Sequence, residues 1–385
     1  MTARPEHREA LGCHGAGAAG SEYAVEWITD RARFAAIASD WDRVAARQRS
    51  PFLMSMWIAP WCDAFAGTRQ PLFAVLWRDG VLIAGLPLLR GWRAWDAAAN
   101  DHSPEFGLLA TDDDARGRIV EAVLSRANAL TMPSLPADGA ALTALCAAAR
   151  GLGRWSLVEP GNVSLATETT GSFEEYRAGL SSKVRSEIGR LGRKAKREHH
   201  LTLAPLATPD DLDAQLARAF AVEASGWKGR AGTAISSSTR TEDFYRQIAR
   251  NFHSAGALRL SELAFDGTLA AMAITIIHQR RAFTIKVGYD ERYRRVAPGL
   301  VLLMAMIERC FELGLDAYEF SGPDADYERR FATTPQRYHQ LRIYRPSPLN
   351  AARYGYYRCV RPVLRFGYHK LRNSVPHRPP AKPAN

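Results

Sequence analysis

A proline, a glycine and several arginines stand at the start of an apolar helix pattern, in the stretch KVGYDERYRRVAPGLVLLMAMIE at residues 286–308. A helix N-terminus presents unpaired backbone N–H groups and the positive end of the helix dipole, so it attracts anions. Pro298 has no N–H to satisfy, and Gly299 removes side-chain bulk. The basic residues just upstream are Arg292, Arg294 and Arg295. This pattern predicts a pyrophosphate site, the alternative being a Pro-Gly helix start with solvated arginines.

Lys286 lies inside the apolar strand pattern AFTIKVGY at residues 282–289. A charge within such a strand is costly unless it is paired or reaches water. We therefore expect Lys286 either to point into a cleft or to contact an acid, and the cleft is the favoured interpretation. No GxSxG turn and no cysteine with an evident activating neighbour is present, so the sequence gives no sign of a covalent enzyme intermediate.

Two β-hairpins of similar length organise the chain. The first spans residues 72–89 around Asp79-Gly80, and the second spans 258–277 around Asp266-Gly267. Their recurrence indicates one α+β unit used twice. For the second unit the pattern predicts strands at 201–206, 282–289 and 316–320 and helices at 210–226, 241–256 and 300–314. In the first unit we predict a strand at 25–29, a helix at 33–47 and a buried helix broken near Pro60.

Acidic residues mark the corresponding helix of the first unit. Asp112, Asp113 and Asp114 stand at its start, where carboxylates cap a helix but repel phosphate. The prediction is that only the second unit holds a phosphorylated ligand.

The net charge of +11 is concentrated near the C-terminus. Thirteen Lys or Arg and no Asp or Glu occur from Arg329 onward, which leaves 38 basic against 40 acidic residues before it. The five cysteines lie far apart without metal-ligand spacing, so we expect reduced thiols, no disulfide framework and no metal site. Without an apolar signal core or an 18-residue apolar run, the expected location is the cytoplasm.

Two basic segments can contact anionic partners. Residues 183–198 form an amphipathic basic helix pattern, which is either a solvated face or a guide for an anionic substrate or nucleic acid. Residues 354–373 interleave aromatic residues with arginines, which suits an anionic membrane surface, an RNA backbone or packing on the body. The protein is therefore expected in the cytoplasm, with the inner membrane face as a further possible location. The sequence does not define an oligomeric state.

The order of elements in the second unit resembles the GNAT acyltransferase superfamily. Within it, the stretches EASGWKGRAGTA (223–234), SSKVRSEIGRLGRKAKRE (181–198), GYDERYRRVAPG (288–299) and FSGPDADYERRF (320–331) resemble CelD-type acetyltransferases associated with cellulose biosynthesis, which are relatives of the FemAB peptidyltransferases. The glycine-rich phosphate loop common in GNAT enzymes is replaced here by Arg295-Val296-Ala297-Pro298-Gly299.

The resemblance implies an α+β fold with tandem GNAT-like domains, each a mixed β-sheet flanked by helices. The expected boundaries are a flexible N-terminus (1–21), an N-terminal GNAT-like domain without phosphate loop (22–170), a C-terminal acyltransferase domain (171–346) and a basic aromatic tail with a Pro-rich end (347–385). It also implies direct transfer of an acetyl or other acyl group from acyl-CoA to an amine or hydroxyl of a small-molecule or saccharide acceptor.

The direct transfer that the resemblance implies needs a base and an acid, and the types and positions of individual residues suggest roles for them. The expected catalytic residues are Glu223 as an acceptor-side carboxylate, Asp324, with Asp326 as the alternative, as a base, and Tyr327 as the acid for the thiolate. Glu223 as a solvated helical residue and GPDAD as an ordinary turn are the alternatives. The expected acyl-CoA contacts are Val287, Gly288, Arg292, Arg294, Arg295, Val296, Ala297, Pro298, Gly299 and Leu300. The expected acceptor contacts are Trp227, Lys228, Lys286, Tyr289 and Asp326.

Two other functions remain open at this point. A FemAB-like enzyme would take an aminoacyl group from tRNA and bind it through the basic helix and tail. A catalytically inactive GNAT-like scaffold would tether an anionic partner. The missing glycine-rich loop favours these two hypotheses, and the apolar strand leading into the Ala-Pro-Gly helix start favours acyl-CoA.

Overall fold

Strands and helices alternate along the chain, as the hairpin and helix patterns predict. The computed structural model describes residues 8–10 and 21–364, apart from the side chains of residues 8–10 and of Trp227. The strands are β1 (Arg8–Ala10), β2 (Tyr23–Ile28), β3 (Gln70–Arg78), β4 (Val81–Arg90), β5 (Trp95–Ala97), β6 (Leu109–Ala110), β7 (Ala129–Pro136), β8 (Trp155–Glu168), β9 (Leu201–Ala207), β10 (Leu258–Phe265), β11 (Thr268–His278), β12 (Arg281–Tyr289), β13 (Ala317–Glu319) and β14 (Thr334–Tyr344).

The helices vary from one turn to almost five. They are α1 (Arg31–Ala36), α2 (Ala38–Ala45), α3 (Ser55–Phe65), α4 (Asp113–Arg126), α5 (Ala140–Gly151), α6 (Phe173–Gly179), α7 (Ser182–Glu198), α8 (Leu212–Ser225), α9 (Trp227–Arg230), α10 (Thr239–Ser254), α11 (Pro298–Glu312) and α12 (Pro348–Gly355). Short 3₁₀ helices occupy Pro51–Leu53, Ile235–Ser237, Glu291–Val296 and Glu328–Arg330, and a π-helical turn at Tyr356–Val360 extends α12.

All described strands belong to one mixed sheet. Its order is β1-β2-β3-β4-β5-β7-β14-β8-β13-β12-β11-β10-β9, with β6 beside β4. The pairs β5–β7 and β12–β13 are parallel, and the other pairs are antiparallel. Helices cover both faces, so the expected mixed sheet flanked by helices is confirmed.

Both predicted hairpins form at their Asp-Gly turns. Asp79 and Gly80 have φ values of 51° and 78°, and Asp266 and Gly267 have values of 53° and 77°. Two consecutive left-handed residues are the signature of a type I′ turn, whose twist matches that of the flanking strands. The turns thereby set the register of β3 with β4 and of β10 with β11.

Two helix predictions in the first unit were wrong. The helix expected at 33–47 is divided at Ile37 into α1 and α2. The break expected near Pro60 is absent, because α3 continues from Ser55 to Phe65 with Pro60 inside it. The N–H groups in the first turn of a helix have no intrahelical partner, so a proline there costs no hydrogen bond. Pro60 lies in the turn that follows, close to the start of α3. By contrast, Asp112 caps α4 as expected, since its carboxylate accepts the Ala115 N–H at 2.8 Å.

The larger hydrophobic core joins both halves of the chain. It includes side chains from α2 and α3 together with side chains from α8 and α10. The rings of Trp57 and Phe244 lie 5.3 Å apart, and those of Phe52 and Phe283 lie 5.6 Å apart. A second core lies between the sheet and helices α7 and α11. Helices from the two halves therefore pack together on the face of β12 that carries α8.

Three long strands of the middle sheet were not predicted. They are β7, β8 and β14, and β8 pairs with β13 over Ala166–Glu168 and with β14 along most of its length. The sheet thus continues through residue 170, and the domain boundaries proposed from the sequence stay predictions.

The described cysteines Cys62, Cys146, Cys310 and Cys359 are free thiols. Within residues 8–10 and 21–364, no helix is both long and apolar enough to cross a bilayer.

Candidate active site

Strands β12 and β13 run in parallel for three residues and then separate. Arg281–Phe283 pair with Ala317–Glu319, after which β12 continues to Tyr289 while the chain leaves β13. On its other edge β12 remains paired with β11 as far as Tyr289. On the β13 side, residues 284–289 therefore have no strand partner in the described structure. Their backbone groups border a gap, which we call the β12 gap.

A β-bulge sits where the two strands separate. Thr275 pairs with Thr284 and Ile274 with Lys286, so Ile285 is the extra residue. A bulge re-aims the side chains that follow it. Beyond it, a Cβ on Gly288 would lie 2.9 Å from Glu223 Cα in α8. The bulged strand and α8 are consequently in very close contact beside the gap.

Lys228 joins the β12 edge to a buried carboxylate. Its Nζ donates to the Val287 carbonyl at 2.8 Å and to Glu223 Oε1 at 3.3 Å. The Glu223 side chain is fully buried, and its Oε2 accepts the Ile235 N–H at 2.7 Å. The alternative of a solvated Glu223 is thus wrong. Each of the two carboxylate oxygens therefore accepts a hydrogen bond from a neighbouring group.

Lys286 points to the α8 and α10 side of the sheet. Its Nζ lies 4.9 Å from the centroid of the Tyr245 ring, and it forms no ion pair with a described carboxylate. Burial lowers the pKa of the Lys286 amine, the charge of Glu223 opposes this, and the charge of Lys228 adds to it. Lys286 was expected either to point into a cleft or to contact an acid, and the structure shows no ion pair between Lys286 and a described acid.

His102 reaches the same place from the first half of the chain. Its Nδ1 is 3.1 Å from the Tyr245 hydroxyl, and its ring stacks on Phe65 with centroids 4.9 Å apart. Burial lowers the pKa of His102 and Lys286 lowers it further, while Asp101 and Glu223 oppose the shift. The imidazole is therefore neutral at pH 7, which is the form that accepts a proton.

The predicted phosphate loop forms the 3₁₀ helix Glu291–Val296 and the first turn of α11. Ala297 is left-handed, with φ 46°, and α11 begins at Pro298, two residues earlier than predicted. Val296 and Pro298 are buried, so their side chains are not available to a ligand. Leu300 donates its N–H to the Ala297 carbonyl at 3.0 Å. The space at Gly299 is open, because a Cβ there would meet nothing nearer than Tyr289 Cδ1 at 3.6 Å.

The three arginines of this loop are not equivalent. Arg292 is held by the buried Asp290 carboxylate at 2.6 Å, and this hydrogen bond lowers the pKa of Asp290. Arg294 and Arg295 are exposed and have no ion-pair partner among the described residues. The free positive charge therefore comes from Arg294 and Arg295, whereas Arg292 is neutralised locally.

The basic helix α7 lies against this loop. Lys194 Nζ donates to the Arg295 carbonyl at 3.3 Å. The two acidic residues of α7 are both paired, Glu187 with Arg330 and Glu198 with its neighbours Lys194 and Arg197. The exposed basic residues of α7 and the loop consequently form one positive surface, which we call the α7 face.

The residues after β13 include Asp324 and Tyr327, the predicted base and acid. The Tyr327 hydroxyl donates to Glu328 Oε1 at 2.9 Å, and burial raises the pKa of both groups. Asp324 is bound by Arg329 at 2.8 Å, and the Asp326 side chain is fully exposed. Asp324 is therefore not a free base, and Tyr327 has a carboxylate partner.

Sequence patterns missed three residues of this region. His102, Tyr245 and Glu328 each contact a predicted residue or its partner. His102 and Tyr245 belong to no recognised motif, and Glu328 lies in the stretch FSGPDADYERRF but was assigned no role. The remaining predicted residue, Trp227, begins α9, and its side chain lies outside the described part of the structure. The one available signal was NDHSPEF at residues 100–106, a polar loop in an otherwise apolar half.

Two open grooves lie elsewhere. They have volumes of about 520 and 430 Å³ and run between α10 and helices of the first half. Asn251 lines both grooves and Phe244 lines the larger one, but none of the residues predicted for catalysis or binding lines either. The predicted catalytic and binding residues therefore lie outside both grooves.

Residues 182–329 match a family model described as an acetyltransferase (GNAT) domain. The match covers the basic helix, the gap, the loop before α11 and Tyr327, and it supports the predicted superfamily for this part of the chain. No curated protein is similar enough to the chain to count as a match.

Solved structures share the fold of nearly the whole described chain. FemX aligns with a TM-score of 0.57 at 11% identity, over 85% of this chain and 99% of FemX. The C-terminal domain of a putative lysylphosphatidylglycerol synthetase from Agrobacterium fabrum aligns with a TM-score of 0.53 at 13% identity, over 83% and 93% of the two chains. A protein of unknown function from Bacteroides thetaiotaomicron aligns with a TM-score of 0.51 at 10% identity, over 80% and 97%. Identities this low establish a common fold and nothing more.

Proposed function

We propose that the protein is an acyltransferase that moves an acetyl or other acyl group from acyl-CoA to an amine or hydroxyl acceptor by direct attack. The observation that carries the proposal is the separation of β12 from β13. It leaves residues 284–289 of β12 without a strand partner on that edge in the described structure, and the chain then leads into the start of α11. The resemblance to CelD-type enzymes makes a saccharide of polysaccharide or cell-envelope metabolism the proposed acceptor.

The residues present fit a donor that carries a pyrophosphate. The space at Gly299 admits a close approach, and Arg294 and Arg295 bring uncompensated charge beside it. Bound acyl-CoA would supply a thioester carbonyl to the acceptor. A residue of an antiparallel strand directs its N–H and C=O to the same edge. Because Val287 uses its carbonyl for Lys228, its N–H is expected to face the gap and to stabilise charge on the acyl oxygen.

Proton transfer is assigned to two sides of the gap. Tyr327 is a phenol that stays protonated at neutral pH, and we assign it the role of giving its proton to the departing thiolate. Burial and the nearby Glu328 raise its pKa, which keeps the proton on Tyr327 until the thiolate forms. On the acceptor side the neutral imidazole of His102 is the available base, whereas Glu223 and Asp324 are already paired. We therefore assign Glu223 the role of holding Lys228, and Lys286 the role of binding the acceptor.

The test is thermal unfolding with and without acetyl-CoA. A ligand that binds only the folded protein, present at 100 times its Kd, stabilises it by about 2.7 kcal/mol. We expect acetyl-CoA to raise the Tm and Gly299→Glu to abolish the rise. A glutamate at this position favours the helix dipole, so the unliganded fold is retained while phosphate is repelled.

Two matched variants separate charge from size. Gly299→Gln has the bulk of glutamate without its charge and should keep part of the effect, and Gly299→Ala should keep nearly all of it. If acetyl-CoA and longer acyl-CoA thioesters leave the Tm of the unmodified protein unchanged, the proposal is wrong.

The α7 face supports a second candidate, transfer of an aminoacyl group from tRNA. A positive surface contiguous with the loop would follow a nucleic acid backbone, and its affinity would fall steeply with salt. Salt-dependent tRNA binding that is lost when Arg190, Arg193 and Lys196 are changed to Gln, together with no response to CoA, would favour this candidate. Binding of neither ligand would favour the non-catalytic scaffold.

A further inference from the structure

The C-terminal helix of the described chain has two different faces. Asn350, Tyr354, Tyr357 and Arg361, which recur at helical spacing, hold it to the body. The Asn350 side chain donates to the Asn128 carbonyl at 3.0 Å, and the Arg342 guanidinium lies 3.9 Å from the centroid of the Tyr357 ring. Arg361 pairs with Glu159 at 3.3 Å. The helix is therefore fixed in orientation, and its other face is presented to solvent.

Large apolar side chains cover that other face, which we call the apolar stripe. Its members are Leu349, Tyr356, Val360, Val363 and Leu364, with exposed fractions of 45%, 46%, 47%, 70% and 59%. Successive members are mostly three, four or seven positions apart, so they lie along one side of the helix. Five exposed apolar residues in 16 positions exceed the scattered single cases normal for a protein surface.

The charge around the apolar stripe has one sign. Residues 345–364 contain four arginines and no Asp or Glu. Arg353 and Arg358 form no ion pair with a described carboxylate, and Arg358 donates only to the Tyr354 hydroxyl at 3.0 Å. The Trp92 side chain is 87% exposed, and the Arg93 guanidinium lies over its ring. Trp92 lies at the end of the sheet where β7 begins, because Trp95, three residues later, pairs with Leu130. α12 is attached at the same end through Asn128.

We propose that the apolar stripe docks the protein on an anionic phospholipid bilayer, with the helix lying in the interface. Aliphatic side chains gain free energy on entering the acyl boundary, and the flanking arginines and tryptophan suit the headgroup region. An RNA backbone would use the arginines but would leave four aliphatic side chains without a role. A lipid surface uses both parts, and this role is independent of which acyl donor the β12 gap takes.

Flotation of the full chain with lipid vesicles tests the proposal. We expect binding to vesicles of equal parts phosphatidylglycerol and phosphatidylcholine, and at least about tenfold less to phosphatidylcholine alone. The triple variant Val360→Ser, Val363→Ser and Leu364→Ser removes apolar area without changing charge. It should weaken binding to the anionic vesicles at least about tenfold. The matched control changes Val81, Leu152 and Leu313, exposed apolar residues elsewhere, to Ser and should bind normally.

A second pair of variants keeps the proposal falsifiable if the triple variant folds poorly. Arg353→Gln and Arg358→Gln should each reduce vesicle binding about fivefold. Equal binding to neutral and anionic vesicles, or a folded triple variant that binds as well as its control, would overturn the proposal. So would tRNA binding that the serine substitutions weaken as much as they weaken vesicle binding.

Discussion

The buried amine of Lys286 is the residue that most clearly separates what sequence and structure contribute. Its place in an apolar strand was enough to predict an unusual environment. Its neighbours were not predictable, because Tyr245 and His102 lie 41 and about 180 residues away along the chain, and the fold alone brings them together. Likewise, the burial of Glu223 beside Lys228 was foreseeable, but the Ile235 N–H that occupies its second oxygen was not.

We predict that Lys286→Met raises the pKa of His102. Burial is the main cause of its lowered pKa and persists in the variant, whereas the repulsion from the Lys286 charge disappears. Because the pKa of His102 is lower in the folded protein than in the unfolded chain, the unfolded chain takes up the proton more readily. The folded protein therefore loses stability as the pH falls below 6.5, the ordinary pKa of the imidazole. On acidification from pH 7 to mild acid, Lys286→Met should therefore lose less free energy of unfolding than the parent protein does.

NMR titration of the imidazole C–H resonance measures this pKa directly, and His102→Gln identifies the signal. Lys196→Met removes an exposed charge from α7 and serves as the control, with no change expected. A His102 pKa that stays constant or falls in Lys286→Met would show that the two side chains do not interact, and the acceptor-side assignment would fail with it.

At the scale of elements, the sequence predicted the turns of the two hairpins but not the pairing of strands that are distant along the chain. The Asp-Gly dipeptides fix two hairpins because only a few residue types tolerate consecutive left-handed conformations. β8 and β14 carry no comparable signal: β8 contains Pro160 and Gly161, and β14 reads TPQRYHQLRIY, which is largely polar. These strands exist because partners distant in sequence satisfy their backbone, which is information that a local pattern lacks.

We predict that Gly288→Ala destabilises the protein by about 1–3 kcal/mol. The new methyl group would lie 2.9 Å from Glu223 Cα and 3.1 Å from its Cβ, and the backbone of α8 cannot turn aside as a flexible side chain would. The contact between β12 and α8 must therefore open, which also disturbs the hydrogen bonds of Glu223.

Urea unfolding of the variant gives the measurement, as a lower midpoint with an unchanged slope. Gly322→Ala is the matched control, because its methyl group would meet nothing nearer than the Phe320 carbonyl at 3.9 Å. The control should remain within about 0.5 kcal/mol of the parent. Equal stability of the two variants would mean that α8 is not tightly packed on the bulged strand.

At the scale of the whole molecule, the tandem arrangement inferred from two hairpins is built around one shared sheet. β8 precedes residue 170, yet it lies between β13 and β14 of the second half. Arg49 of the first half also reaches the second, where its guanidinium pairs with the buried Glu319 at 2.6 Å beside Arg281 at 2.7 Å. Sequence repetition indicated two units but could not indicate that they exchange a strand and share a core.

We predict that both halves unfold in one cooperative transition. Separating them would expose the unpaired edges of β13 and β14 and the part of the larger core that includes Trp57 and Phe244, so neither half has a stable folded state alone.

Eight of the nine tryptophans precede residue 170, so tryptophan fluorescence reports mainly on the first half, whereas far-ultraviolet circular dichroism reports on both. The two signals should change at the same temperature, and a fragment of residues 171–346 should aggregate. Two resolved transitions, or a soluble and cooperatively folded fragment, would show that the shared strand does not bind the halves into one unit.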